Sequence, residues 1–269
     1  MSLDYLQSIY AQMGKKLDPD ESYFSSDSRF LTLEQLLRSL PKGKLLDIGC
    51  GRGLLLRRLA DHHESHGCDF DPGAVAACEE AGLNVCQVDL NTAATLSRID
   101  GETFDVIVIS EVCEHLLNPR SALQLVKRHL SENGTLIVTV PNALPLFARL
   151  PLLFGRRLAW LHYPSMETEV TGHIRFYTIT SMSELLQEEG FSVEFVRGVS
   201  FRMNGYFWER VCYRLSRLMG KRDSPGPAEI DGWLGKQFPD LAPGLLFFCK
   251  LKNSKDTTLV DFAGSSYLH

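Results

Sequence analysis

Three short stretches of this chain carry residue types whose spacing could do chemistry. The first is Lys44 to Gly53, K-L-L-D-I-G-C-G-R-G, where Asp47 ends an apolar run and Gly49, Gly51 and Gly53 alternate after it. Leu54 to Ala60 then has helical character. Strand, glycine turn and helix open a nucleotide-binding βαβ unit, whose helix start presents unpaired N–H groups. The second stretch is Ser110-Glu111-Val112-Cys113-Glu114-His115, two acids and an imidazole just after an apolar run. The third is Thr171-Gly172-His173-Ile174-Arg175-Phe176-Tyr177.

The glycine turn selects its ligand by charge. A dinucleotide fingerprint reads G-x-G-x-x-G; here the position three after Gly51 is Leu54. A carboxylate at Asp47 would repel a pyrophosphate and suits a cation, such as the ammonium and sulfonium of S-adenosylmethionine. The D-x-G-x-G-x-G pattern of Asp47, Gly49, Gly51 and Gly53 resembles motif I of the class I S-adenosylmethionine-dependent methyltransferases. Asp69, 20 residues after Gly49, is placed to accept ribose hydroxyls, a logic shared with dinucleotide folds. Phe70 is a candidate for the adenine face, while Asp71-Pro72 reads as a helix N-cap and first turn. The resemblance implies an adenine contact at Asp89, with a turn-forming Asp as the alternative. Cys50, Leu90 and Ser110 complete the expected donor-binding set.

Methyl transfer from a sulfonium needs alignment and exclusion of water, and a base only where the acceptor must lose a proton. The 110–115 element and the later Gly172-His173 resemble the ubiquinone-pathway O-methyltransferases, within the broader group of small-molecule methyltransferases. A helical turn there would put Glu111, Glu114 and His115 on one face. The resemblance offers three readings: a base or acceptor contact at His115, assisted by Glu111; a structural pairing; or a divalent metal such as Mg²⁺ on Glu111, Glu114 and His115. That ligand set is thin and nothing local completes it, so no metal site is assigned. His173 is the second base candidate. Arg175 and Tyr177 are expected at the acceptor, Arg175 as a fork for an acid; an anchoring His173 and a surface ion pair at Arg175 are the alternatives.

The elements that must position these groups alternate along the chain. Strands are expected at 44–48, around 66–69, 84–88, 103–109, 135–140, 191–196 and 244–250, with helices between. This α/β pattern looks like the class I methyltransferase sheet; the resemblance implies strand order 3-2-1-4-5-7-6, with the last strand antiparallel. Residues 1–43 are expected to form an N-terminal helical lid segment, with Tyr23, Phe24 and Arg29 closing over the cofactor or merely packing. The methyltransferase domain would span 44–252, with cap insertions at about 141–178 and 199–243, and 253–269 would be a mobile tail.

Composition narrows the class. The chain has 269 residues, 44% hydrophobic and 23% charged, enough for a large globular core. A net charge of −5 argues against general nucleic-acid binding. Both insertions nonetheless carry basic stretches: Leu144 to Tyr163 in the first holds Arg149, Arg156 and Arg157 and no acid, and Arg210, Arg214, Arg217 and Lys221 line one helical stripe in the second. Such a stripe caps an acceptor site, packs on the core, or touches an anionic membrane surface. Seven cysteines without a C-x-x-C motif suggest reduced core thiols and a cytoplasmic setting. The first ten residues do not read as a signal peptide. The resemblance implies methylation as the activity, on oxygen of a small or lipid-like, acidic or apolar acceptor. A nicotinamide-dependent oxidoreductase and a non-catalytic nucleotide-binding subunit are the alternatives. Oligomeric state is not legible.

Overall fold

The computed structural model describes residues 28–91, 99–155, 172–199 and 227–252. Tyr23, Phe24, the second insertion's basic stripe and the tail lie outside the described residues. The described elements run α1 (Ser28–Ser39), β1 (Lys44–Ile48), α2 (Leu54–Leu59), β2 (Glu64–Asp69), α3 (Pro72–Glu80), β3 (Asn84–Gln87) and β4 (Phe104–Ser110). There follow α4 (Pro119–His129), β5 (Leu130–Pro141), α5 (Leu146–Leu153), α6 (Ile179–Glu188), β6 (Phe191–Val199), α7 (Pro227–Gln237) and β7 (Gly244–Leu251).

The strands form one sheet in the order β3-β2-β1-β4-β5-β7-β6, as expected. β1 to β5 pair in parallel, and β7 runs antiparallel to both β5 and β6. Alternation along the central strands explains the two layers. Leu46, Ile48, Ile107, Ile109, Leu136 and Val138 face one side, where Ala122, Leu123 and Val126 of α4 and Met182 and Leu186 of α6 cover them. Leu45, Val106, Val108 and Ile137 face the other, covered by Leu33 and Leu37 of α1, Leu55, Leu56 and Leu59 of α2, and Val75 of α3. Successive side chains of a strand point to opposite faces, so runs apolar at every position need helices on both sides.

One boundary differs from expectation. Asn133-Gly134 does not separate a helix from a strand; β5 already begins at Leu130, and its register against β4 shifts between the Phe104 and Val106 pairings. Gly134 packs over the Leu130 side chain, where a Cβ would lie 2.7 Å from Leu130 Cδ1. A local bulge thus absorbs the polar residues 131–134.

The strand order reverses between β1 and β4, whose carboxyl ends carry Asp47 to Gly53 and Ser110 to His115. In open α/β sheets such a switch point is where ligands bind.

Candidate active site

The donor side is built from the ends of β1, β2 and β3. Asp47 is buried between Gly67 of β2 and Val108 of β4. Burial pushes its carboxyl up to about 7, and the nearby Asp69 charge pushes the same way. Asp69 Oδ2 accepts the Gly51 N–H at 2.7 Å, and Oδ1 accepts the Asp71 N–H at 2.9 Å. Asp69 therefore fixes the glycine turn as well as facing the site; burial raises its pKa. Asp71 caps α3 by accepting from Gly73 N, with Pro72 behind it, as expected.

The glycines divide by what their missing side chains would meet. Gly51 has φ +52° and open space where a Cβ would project, which suits a ligand lying against the backbone. At Gly53 a Cβ would sit 2.4 Å from Leu83 Cδ1 and 3.0 Å from Cys78 Sγ. The side-chain position of Gly53 thus faces the core beneath α2. The N–H groups of Gly49 and Cys50 both bond Cys68 O, and Cys50 is buried with its thiol raised by desolvation. Phe70 is half-buried beside the turn. Asp89 Oδ1 accepts Asn91 N at 2.9 Å, the turn-forming alternative; Asn91 Oδ1 in turn accepts Leu117 N at 2.8 Å. Leu90 is a core residue. Ser110 and Thr139 hydroxyls bond at 2.9 Å across β4 and β5.

The acceptor side differs from the expected arrangement. Glu111, Glu114 and His115 do not share a helical face, because only Cys113–His115 forms a turn, of 3₁₀ type. Glu111 lies outside it at φ 55°, in the left-handed region. Its Oε1 accepts from Thr139 Oγ1 at 3.1 Å and its Oε2 pairs with Arg29 Nη1 at 2.5 Å. The carboxylate so engaged anchors α1. Arg175 donates through Nε to Leu116 O at 2.8 Å and through Nη2 to Leu117 O, so backbone carbonyls occupy the fork expected to bind an acceptor. Tyr177 is buried and donates its hydroxyl to Cys113 O, which makes it a core residue.

These contacts bring His173 to the site. The N–H groups of Ile174 and Arg175 both donate to Glu114 O, at 2.9 and 3.1 Å. A reciprocal capping box between Thr178 and Ser181 then starts α6. Thus 172–177 is laced along 113–117. Glu114, 1% exposed, has Oε1 3.9 Å from Nε2 of both His115 and His173. Neither Glu114 oxygen has a hydrogen-bond partner among the described residues. The imidazole centroids lie 4.9 Å apart. Burial, then the neighbouring His173, holds His115 down at about 4; burial, then Arg29, does the same to His173. Burial raises the Glu114 carboxyl well above the usual range, and Glu111 adds to it. Sequence reasoning named each of these residues but not their grouping. The only sequence signal for it was Gly172-His173, and a partner 57 residues away has no spacing rule.

A buried acid with two neutral imidazoles beside the end of β4 adjoins a turn suited to a cationic nucleotide. A family model described as a methyltransferase domain matches residues 24–195. The chain belongs to that family. It is a class I S-adenosylmethionine-dependent methyltransferase, and S-adenosylmethionine is its cofactor. The nicotinamide alternative is thereby dropped. Among curated proteins, this methyltransferase is 24% identical over 250 residues to the mitochondrial ubiquinone biosynthesis O-methyltransferase of Bos taurus, covering 83% of the chain and 63% of the relative. It is 27% identical over 179 residues to a ubiquinone biosynthesis O-methyltransferase of Cereibacter sphaeroides, covering 64% and 70%. The chain spans about half to 63% of the mammalian relatives' length. Among solved structures, a SAM-dependent methyltransferase of Thermotoga maritima superposes with a TM-score of 0.58 at 16% identity, covering 91% of this chain and 99% of that one. A SAM-dependent methyltransferase of Archaeoglobus fulgidus gives 0.56 at 17% identity, covering 90% and 99%. These two show the fold.

Proposed function

We propose that this methyltransferase methylates an oxygen of a small acceptor, and that the Glu114–His115–His173 cluster handles the acceptor's hydroxyl proton. The observation that carries the reading is the buried, unpartnered Glu114 carboxyl between two imidazoles at the reaction end of the sheet. A nitrogen nucleophile with a free lone pair needs no such group, whereas a hydroxyl or phenol must lose a proton as the bond forms. Likeness to relatives named as ubiquinone biosynthesis O-methyltransferases supports the same reading.

The bound cofactor supplies an already activated methyl group. On this reading Asp47 faces its positive charge, Gly51 lets it lie close to the backbone, and Asp69 accepts from its ribose. Ser110, Phe70 and Asp89 stand at the rim of the same site. His115 Nδ1–H donates to Gly172 O at 3.1 Å, which fixes the ring and leaves Nε2 as the proton-accepting edge. His173 and Glu114 flank that edge. Glu114 is buried and both imidazoles are mostly covered, which limits water at the transfer.

The acceptor's apolar character rests on α5 and the residues after it. Leu146, Leu152, Leu153 and Phe154 are exposed, the last two at 78% and 81%, next to the Arg156-Arg157 pair in sequence. A lipid-like acceptor, or peripheral contact with an anionic membrane, fits that combination. No helix among the described residues is long and apolar enough to cross a membrane. The test is a methyl-transfer screen with labelled cofactor against hydroxyl-bearing apolar and acidic metabolite pools. Label in an O-methyl ether or ester supports the reading, and label confined to amines overturns it.

A further inference from the structure

We infer that Thr139 of β5 is a positioning residue for the cofactor: its hydroxyl sets the direction of the Ser110 hydroxyl, so that Ser110 offers an acceptor to the ammonium of S-adenosylmethionine. The inference takes Ser110 at the rim of the cofactor site from the reading above, and it holds whichever atom is methylated.

Thr139 is 2% exposed and lies opposite Ser110, the last residue of β4, in the sheet register. A hydroxyl buried in a core strand is costly unless it is hydrogen-bonded. Here Thr139 Oγ1 donates to Glu111 Oε1 at 3.1 Å and lies 2.9 Å from Ser110 Oγ. The main chain is engaged at the same point, because Thr139 O accepts the Glu111 N–H at 3.0 Å. Thr139 therefore holds the left-handed residue by its backbone and by its side chain together.

The direction of the hydrogens follows from the far end of this relay. Glu111 pairs with Arg29, and an ionised carboxylate can only accept. A bond to that charge is the stronger one open to Thr139, so its single hydroxyl hydrogen goes to Glu111. Between the two hydroxyls, Ser110 must then be the donor. With its hydrogen committed to Thr139, Ser110 has lone pairs alone to offer a further partner. It is half-buried at the carboxyl end of β4, where the strand order reverses. An acceptor at that place matches a group that can only donate, as an ammonium does. Valine at 139 has nearly the same shape but no lone pair. It would release the Ser110 hydrogen and set a donor against a donor.

The test is calorimetry on the full chain with S-adenosylhomocysteine, its decarboxylated analogue 5′-(3-aminopropylthio)adenosine, and 5′-methylthioadenosine, which has neither ammonium nor carboxylate. Thr139→Val should weaken both amine-bearing probes by about 3–10-fold, the size of one hydrogen bond, and leave methylthioadenosine unchanged. Ser110→Ala should do the same. The double variant should lose no more than Ser110→Ala alone, because Thr139 acts through Ser110. Thr139→Ser keeps the hydroxyl and should bind all the probes like wild type. Full binding of methylthioadenosine verifies that each variant is folded. Undiminished binding of the amine-bearing probes to Thr139→Val overturns the inference. So does an equal loss for methylthioadenosine, an additive loss in the double variant, or no rescue by Thr139→Ser. A loss confined to S-adenosylhomocysteine overturns it too, by moving the effect to the carboxylate. None of these results bears on O-methylation, which is read from where the labelled methyl arrives.

Discussion

Arg29 Nη1 reaches Glu111 Oε2 at 2.5 Å, tying α1 to the one non-glycine residue with a positive φ among the described residues. Both side chains are about one-third exposed, so the ion pair itself contributes at most about 1 kcal/mol. The left-handed backbone at Glu111 opposes it, costing about 1–2 kcal/mol for any residue with a Cβ. Glu111→Gly should therefore keep more stability than Glu111→Ala, by up to about 1 kcal/mol. Urea denaturation of the two variants decides it; a more stable alanine variant would show that the turn is unstrained.

Gly51 and Gly53 should separate binding from folding. In Gly51→Ala the new methyl projects into open space on the cofactor side, so cofactor affinity should fall with a stability loss of about 1 kcal/mol. In Gly53→Ala the methyl meets Leu83 and Cys78, adding an overpacking cost of about 1–3 kcal/mol to the same backbone strain. Thermal denaturation beside cofactor calorimetry checks the split. Equal losses of stability would remove the distinction between the two glycines.

Asp47 should make cofactor binding pH-dependent. Its carboxyl, raised to about 7 by burial, is largely protonated in the free protein below neutrality, and a cationic ligand favours the ionised form. Affinity should rise between about pH 6 and 8, with proton release near neutrality. Folding stability runs the other way. The folded chain holds the Asp47 proton above the pH at which the unfolded chain loses it. That contribution is full below about pH 4 and is lost as pH rises through about 7. Asp47→Asn should flatten both trends relative to wild type. Calorimetry in two buffers of different ionisation enthalpy measures the proton, and an unchanged profile in the variant would assign the dependence elsewhere.

Arg175 distinguishes anchoring from acceptor recognition. Its bonds to Leu116 O and Leu117 O hold the segment that carries His173. Arg175→Ala should lower kcat and cost about 1–3 kcal/mol of stability while leaving cofactor affinity intact. A variant with a raised KM for acidic acceptors and full stability would restore the acceptor role expected from sequence.

The sheet was legible because its signals are local. Apolar runs at Leu45–Ile48 and Val106–Ile109, the Asp71-Pro72 cap and the Asp47-to-Gly53 turn each declare an element within a few residues. The site was legible only in parts. The positions of Asp47, Asp69 and His115 at or just beyond strand ends were readable. The job of Glu111 was not, because it depends on Arg29, from a helix that precedes the first strand. Nor were those of Arg175 and Tyr177, whose polar ends turn back onto carbonyls of 113–117. A guanidinium after a histidine looks the same in sequence whether it meets a ligand or the backbone. The link between Glu114 and His173 is tertiary, made by the strap of hydrogen bonds at 172–177, and no periodicity encodes it.

The most direct measurement is methyl transfer from S-adenosylmethionine carrying an isotopically labelled methyl group, with the receiving atom located by NMR, for wild type, Glu114→Gln and His173→Ala. The label should appear on oxygen in wild type, and transfer should collapse in both variants while cofactor affinity stays within about twofold, a shift of under about 0.5 kcal/mol. Label on nitrogen or carbon, or undiminished transfer in both variants, would contradict the account.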